Sequence, residues 1–432
     1  MKVKEEGRSC TTLGELIKNY REQAGITLSE LARKAGISKA AISRIERERT
    51  KRPQFTTIKP IADILGISLM ELMEQYIEVE KRPDVLQELL LEAVSMSDNR
   101  LVSKVADKFL ESPCEETETT LERLFDLTGS IIDETARLSL YKTIISYARY
   151  RGVQQYLAKG LLQQYLIERM DLGTLEESFK IGEEILHYTQ FLSREEKVIY
   201  YYRMALHAHN IKKYKQCIEL GNIGHREDTT QNELKERVAL AICNSYSRLG
   251  DLIGLEEHLD RYEKLGYAFI IERLKYFRAI ILSKSERYDK AIPLLKECLE
   301  EATDNNRLNR VNDLLEALLK INDVNSIQQI IEQEEEDLHI QPTTPYKYSE
   351  LGKYYKCKGA FLVKSGLFDD GIEKYLKAMY FFSKINATAD IIKCSEAICI
   401  HYFTQEKEMK PEVLKKLGEV YNIVNKGNTK EC

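Results

Sequence analysis

Apolar residues recur along this chain at intervals of three and four, with few interruptions, which is the spacing of one helix face after another. Leu13, Leu16, Ile17 and Tyr20 open the pattern, and Gly25 stops the first helix. Thr27, followed by Glu30, reads as a capping box opening a second helix that runs through Lys34 to Gly36. Ser38 caps a third helix that turns Ile42 and Ile45 inward. A fourth follows Pro53 and ends near Gly66, and a fifth begins at Ser68. Beyond Pro83 the spacing predicts helices near 83–96, 99–112, 118–128, 131–151, 153–170, 174–190, 195–210, 213–223 and 232–249. More follow near 252–265, 268–285, 288–302, 307–320, 324–336, 347–365, 368–384, 388–403 and 411–425. Taken two by two these are antiparallel pairs.

Composition agrees with long helices, since 432 residues hold only 8 Pro and 21 Gly. With 43% hydrophobic and 31% charged residues, a packed, soluble protein is expected. No apolar run approaches the ~20 residues of a membrane span. Met1 to Arg8 is charged with no apolar stretch behind it, so a secretory signal is not expected. Nine cysteines without a CxxC pair read as thiols of a reducing cytoplasm, not as a disulfide framework or zinc site. Cys217, Cys243 and Cys298 fall at tight-packing positions, and Cys394 and Cys399 have no metal-like spacing. His207 and His209, two apart, do not share a helix face. The acidic run at Glu332 and Glu334 to Asp337 reads as a helix end on the surface. There is no Gly-rich phosphate loop and no nucleophile motif, so neither an enzyme nor a cofactor is expected.

Charge is what divides the chain. Residues 1–60 hold 14 Lys and Arg against 7 Asp and Glu, whereas the remainder holds 50 against 62. A basic head on an acidic body points to a head that meets a polyanion. Two short helices joined by Ala35-Gly36-Ile37 form a helix-turn-helix, and the third helix exposes Lys39, Ala40, Ser43, Arg44 and Arg47. A helix of this diameter fits the major groove of double-stranded DNA, where Arg reads guanine bidentately.

The run Leu28-Ser-Glu-Leu-Ala-Arg-Lys-Ala-Gly-Ile-Ser-Lys-Ala-Ala-Ile-Ser-Arg-Ile-Glu, with Thr50-Lys-Arg-Pro-Gln-Phe after it, resembles the Cro/C1 (XRE) helix-turn-helix family. The resemblance implies base-facing Lys39, Ala40 and Arg44, phosphate-facing Thr27 and Leu28, and a backbone-contacting loop at Lys51 and Arg52, with Ser38, Ser43 and Arg47 also counted among the DNA-binding residues. It also implies an Arg21–Glu46 ion pair tying the first helix to the third. Two positions depart from the family: Glu48 stands where Gly often ends the recognition helix, and Gln54 where some members carry Arg.

The body repeats. Lys212-Lys-Tyr-Lys-Gln-Cys, Glu286-Arg-Tyr-Asp-Lys-Ala and Gly366-Leu-Phe-Asp-Asp-Gly each set an aromatic three residues before a small residue (Cys217, Ala291, Gly371). Further anchors fall at Ser178, Leu255 and Ile327, giving spacings near that of tetratricopeptide repeats, which the body resembles. The expected fold is therefore all-α: a five-helix head over 12–75, a short linker at 76–82, a right-handed α-solenoid over 83–425, and a tail at 426–432. In such a solenoid the first helix of each pair lines the concave face. The residues expected there are Tyr202, Leu206 and His209, then Arg237, Leu240, Asn244 and Arg248, then Arg273, Tyr276 and Ile280. Asn309, Asn312 and Glu316 follow, and then Lys353, Lys356 and Ala360. Asn amides match the donor and acceptor of a peptide unit, and the basic residues suit carboxylates. In the final pair, Ile391, Ile392, Ile398, Ile400, Tyr402 and Phe403 are expected to cap the stack or to meet a second copy.

A Cro/C1 head before a long degenerate solenoid resembles the Rap/Rgg/NprR/PlcR/PrgX family of peptide-pheromone receptors, and most of all its NprR-type members. The resemblance implies a cytoplasmic quorum-sensing transcription regulator with no membrane segment. It implies a double-stranded operator, a short signalling peptide in the groove, and a homodimer or higher homo-oligomer. Related members that bind and dephosphorylate a sporulation response regulator, phage lysis–lysogeny receptors, and a peptide-independent scaffold are the alternatives in view.

Overall fold

The computed structural model describes residues 12–171, 173–337, 342, 344–385 and 387–428. The fold is all-α, with no strand among the described residues. Two compact units divide the chain, the first ending at Gln231 and the second beginning at Asn232.

The head packs five helices, α1 (Leu13–Gln23), α2 (Leu28–Ala35), α3 (Lys39–Glu46), α4 (Phe55–Leu65) and α5 (Leu69–Val79). Its core is Ile17, Leu31, Ile42, Ile58 and Ile61, each 0% exposed. Burial of each such side chain stabilises the head by roughly 2 kcal/mol. The complete capping box is at Thr12 and Glu15, where each side chain takes the other's backbone N–H at 3.2 Å. At Thr27 only half of the expected box forms. Its hydroxyl accepts from Glu30 N at 3.2 Å, while the Glu30 carboxylate turns to Lys34, also at 3.2 Å. The end of α3 packs so closely on α1 that a Cβ on Gly14 would stand 2.6 Å from the Ile45 carbonyl oxygen.

The stretch expected as a linker is a fixed joint. Residues 76–79 are the last turn of α5, and Glu80 beyond it is 3% exposed. Its carboxylate accepts from the backbone N–H groups of Lys81 and Arg82 at 2.9 Å and from the Arg82 guanidinium at 2.6 and 2.9 Å. The Tyr76 hydroxyl lies 3.0 Å from both Glu80 and the Pro53 carbonyl. From the next helices, the Ser112 hydroxyl donates to Lys81 O at 2.7 Å, and Lys108 pairs with Glu78 at 2.7 Å.

The first unit continues through α6 (Pro83–Ser95), α7 (Asn99–Leu110), α8 (Thr117–Ser130), α9 (Glu134–Arg151) and α10 (Gln154–Glu168). Then come α11 (Leu175–Ile185), a 3₁₀ turn (Leu186–Phe191), α12 (Arg194–Asn210) and α13 (Tyr214–Glu227). The second unit holds α14 (Glu233–Leu249), α15 (Leu252–Lys264), α16 (Ala268–Ile271), α17 (Leu274–Lys284), α18 (Tyr288–Glu300) and α19 (Arg307–Ile321). It ends with α20 (Val324–Asp337), α21 (Pro345–Lys364), α22 (Phe368–Ser383), α23 (Thr388–Thr404) and α24 (Pro411–Asn428). Residues 429–432 of the expected tail lie outside the described residues.

All the repeat anchors are buried: Ser178, Cys217, Leu255, Ala291, Ile327 and Gly371. Gly371 shows why small size matters there. A Cβ on it would lie 2.9 Å from Gly359 O and 2.5 Å from the Val363 side chain, so α21 and α22 meet backbone to backbone. Burial pushes the Cys243 thiol up to about 12, leaving a small, unreactive core residue.

Two details depart from the expected elements. The helix expected over 268–285 breaks before Leu274. Arg273 N–H bonds Ile270 O, and Phe269 O takes the Arg273 guanidinium instead at 3.1 Å. In the acidic run, Glu334 is 5% exposed rather than on the surface, held by Arg307 at 2.6 and 3.1 Å.

Candidate nucleic-acid interface and ligand groove

The helix-turn-helix is set by its turn and by one ion pair. Gly36 has a φ of 66°. It ends α2 in the left-handed conformation and starts the turn into α3. Arg21 Nε and Nη2 meet the two Glu46 oxygens at 2.6 and 2.9 Å, and Nη1 donates to Ile26 O at 3.2 Å. The pair expected between the first and third helices is thus present. It also grips the loop before α2, and the Glu46 hydrogen bonds raise the Arg21 pKa. At the far end of α3, Glu48 has a φ of 58°. The chain thus keeps the left-handed exit that glycine would supply without strain.

This frame leaves one face open. Ser38 caps α3 by accepting from Ala41 N at 3.2 Å, and Lys39, Ala40, Arg44 and Arg47 are exposed with Ser43 half-buried beside them. Thr27 is exposed and Leu28 half-buried at the start of α2, and Lys51 and Arg52 are exposed in the loop after α3. All ten expected DNA-facing residues therefore lie at least partly on the surface of the head. The Arg44 Nε rests on its own helix at Ala40 O, 3.3 Å away.

The body's expected groove residues divide. In the first unit Tyr202 is 0% exposed and does not line a groove. Its ring fills the space over Gly224, where a Cβ would be 2.7 Å from it, and its hydroxyl donates to Asp228 at 3.0 Å. The half-exposed face of α12 carries Arg203 and Leu206 instead. His209 is half-buried with its ring 5.7 Å from that of Tyr214.

In the second unit Arg237 is exposed, pairs with Glu233 at 2.6 Å and stands 5.8 Å over the Phe269 ring. Asn244 and Lys356 are half-buried, and Arg273 pairs with Glu272 at 3.2 Å. Tyr276 and Asn309 are brought together, with Asn309 Nδ2 donating to the Tyr276 hydroxyl at 2.8 Å and that hydroxyl bonding Asp313. Asn312 is 1% exposed, and its amide nitrogen is committed to Glu350 O and Oε2, both at 2.9 Å. It braces α19 against α21 rather than presenting an amide to a ligand. Lys353 meets Glu350 at 2.7 Å, and Arg248 comes within 3.9 Å of the same carboxylate from α14.

The residues missed from sequence are Arg310, Asp313 and Glu350. Spacings 309, 312, 316 and 309, 313, 316 fit one helix face equally well, so periodicity alone did not choose Asp313 over Asn312. Burial pushes the Asp313 carboxyl up to about 6. Glu316 and Glu350 add to the rise, and the Tyr276 hydroxyl opposes it. Burial also lowers the pKa of Lys284 across from it.

Residues 17–72 match the helix-turn-helix family model. The HTH-type transcriptional regulator SinR of Bacillus subtilis (strain 168) is 37% identical over 68 residues, 16% of this chain and 61% of that relative. The match thus spans less than two thirds of SinR. Among solved structures, phAimR in its selenomethionine form has 13% identity and a TM-score of 0.38 over 96% of this chain and 100% of that one. PlcR of Bacillus thuringiensis, solved with the peptide PapR7 and DNA, has 16% identity and a TM-score of 0.20 over 90% and 99%. The head, by sequence and by geometry, is a helix-turn-helix domain. No described helix is long and apolar enough to cross a membrane.

Proposed function

We propose that this protein is a cytoplasmic transcription regulator whose sequence-specific binding to double-stranded DNA is gated by a short peptide in the groove of the second unit. The observation that carries the first half is the open basic face of α3, with Lys39, Arg44 and Arg47 exposed on a helix locked by Arg21 and Glu46. Support for the second half is the series of exposed or half-exposed polar side chains Arg237 and Asn244 of α14, Arg273 just before α17, Asn309 of α19, and Lys353 and Lys356 of α21. They offer amides to a peptide main chain and cations to carboxylates. The order of head and repeats also resembles that of peptide-pheromone receptors.

The test is selection of duplexes from a random pool by the full chain, followed by gel-shift titration. A single preferred site is expected, and Arg44→Ala should weaken it by ~1–3 kcal/mol while relaxing the preference at one base pair. Lys51→Ala should weaken all sequences alike and flatten the salt dependence. Unchanged affinity and preference in Arg44→Ala would remove α3 from the groove.

A further inference from the structure

The polar centre of the second unit holds more positive than negative charge. Around Asp313 stand Tyr276 and Lys284 from α17, Arg310 and Glu316 from its own helix, and Tyr346, Glu350 and Lys353 from α21. Arg248 of α14 approaches Glu350 in the same centre. Four of these groups are cations and three are carboxylates. Glu350 is engaged by Asn312 and Lys353, and Asp313 by Tyr276. Neither bonds Arg310. That guanidinium lies 3.2 Å over the Tyr276 ring, is 8% exposed, and its Nε and Nη1 have no hydrogen-bond acceptor. Arg stays charged at any accessible pH, and a buried cation without an acceptor is strongly unfavourable. A carboxylate is the group whose geometry and charge satisfy it.

We propose that Arg310 and Asp313 form a carboxylate-receiving subsite, so that the ligand of this groove carries a free carboxylate and its binding takes up a proton. The proposal rests on the peptide reading above and adds the chemistry of the ligand. The carboxylate comes from a chain end or from an Asp or Glu side chain. Reaching Arg310 requires the Tyr276 ring to turn aside, which withdraws its hydroxyl from Asp313. Asp313 then loses the bond that favours its charged form and gains a like charge nearby, and both changes favour the protonated acid. In the free protein burial already holds the Asp313 carboxyl up to about 6. Above that pH, affinity should fall as pH rises, by up to about tenfold per unit for one proton taken up.

Synthetic hexapeptide pools, with free or amidated C-termini and with or without Asp and Glu, would be passed over the immobilised full chain at pH 5.5 and 7.5. Retained peptides are identified by mass spectrometry and their affinities measured by calorimetry. Peptides bearing a carboxylate should be retained, more tightly at the lower pH. The free-acid pool lacking Asp and Glu, set against the amidated pool containing them, tells chain end from side chain. R310Q should lose at least tenfold in affinity. Because Arg310 packs on Tyr276, D313N provides a second readout: it should flatten the pH profile of binding. Equal retention of amidated peptides without Asp or Glu, or an unchanged pH profile in D313N, overturns the subsite and leaves the peptide reading standing. No retention from any pool overturns both.

Discussion

Arg21 and Glu46 show how much of the head rests on single side chains. The Arg21 side chain is 12% exposed and that of Glu46 5%. Arg21→Ala therefore strands a buried carboxylate and should destabilise the head by ~3–5 kcal/mol in thermal or urea unfolding. Glu48 is the opposite case. Its left-handed backbone is strained for any residue with a Cβ, so Glu48→Gly should raise head stability by ~0.5–1 kcal/mol. A loss instead would mean that the Glu48 side chain outweighs the strain. Both positions were legible in the sequence, because the Cro/C1 pattern fixes their neighbours on both sides. Gly14 was not legible: a glycine inside a helix announces no partner, and only the packed structure shows Ile45 O against it. Asn312 and Tyr202 were misplaced for a similar reason. A half-turn on a helix separates groove from core, and polar side chains such as these also satisfy buried partners.

Among the elements, helix boundaries followed the apolar spacing to within a few residues, since each pair buries one face against the next. The junction after α5 was not readable that way. Glu80 looks like a surface residue in sequence, yet burial works against its charge while Arg82 and two backbone N–H groups bring its carboxyl down to about 2. A carboxyl below its unfolded value contributes stability above the ordinary carboxylate range and loses it as pH falls toward 2. Glu80→Gln should therefore lower stability at pH 7 by roughly 2–3 kcal/mol and have much less effect near pH 2. An equal cost at both values would show that the contribution is packing rather than charge. At the α21–α22 contact, Gly371→Val leaves no room for its side chain and should cost about 1–3 kcal/mol.

At the scale of the whole molecule, the proposed function calls for two heads in one assembly and a body that answers a ligand. On α23 the residues expected together divide by face. Ile391, Ile398 and Tyr402 are buried, whereas Ile392, Ile400 and Phe403 are 60%, 51% and 85% exposed. If this face joins two copies, Phe403→Ser should lower the mass seen by light scattering without changing the melting temperature. An unaltered mass would place the contact elsewhere. The fixed joint at Glu80 gives movement among the helices that follow it a path to the head, because Lys81 and Glu78 are held by Ser112 and by α7. Under the proposed gating, a peptide acts on DNA only through its difference in affinity for two shapes, and a tenfold effect requires ~1.4 kcal/mol of coupling. The direct measurement is the affinity of the full chain for its selected operator, by fluorescence anisotropy, with and without a saturating retained peptide. The operator Kd should change at least tenfold, and saturating operator should change the peptide Kd by the same factor. A peptide that binds the second unit and leaves the operator Kd unmoved would contradict gating.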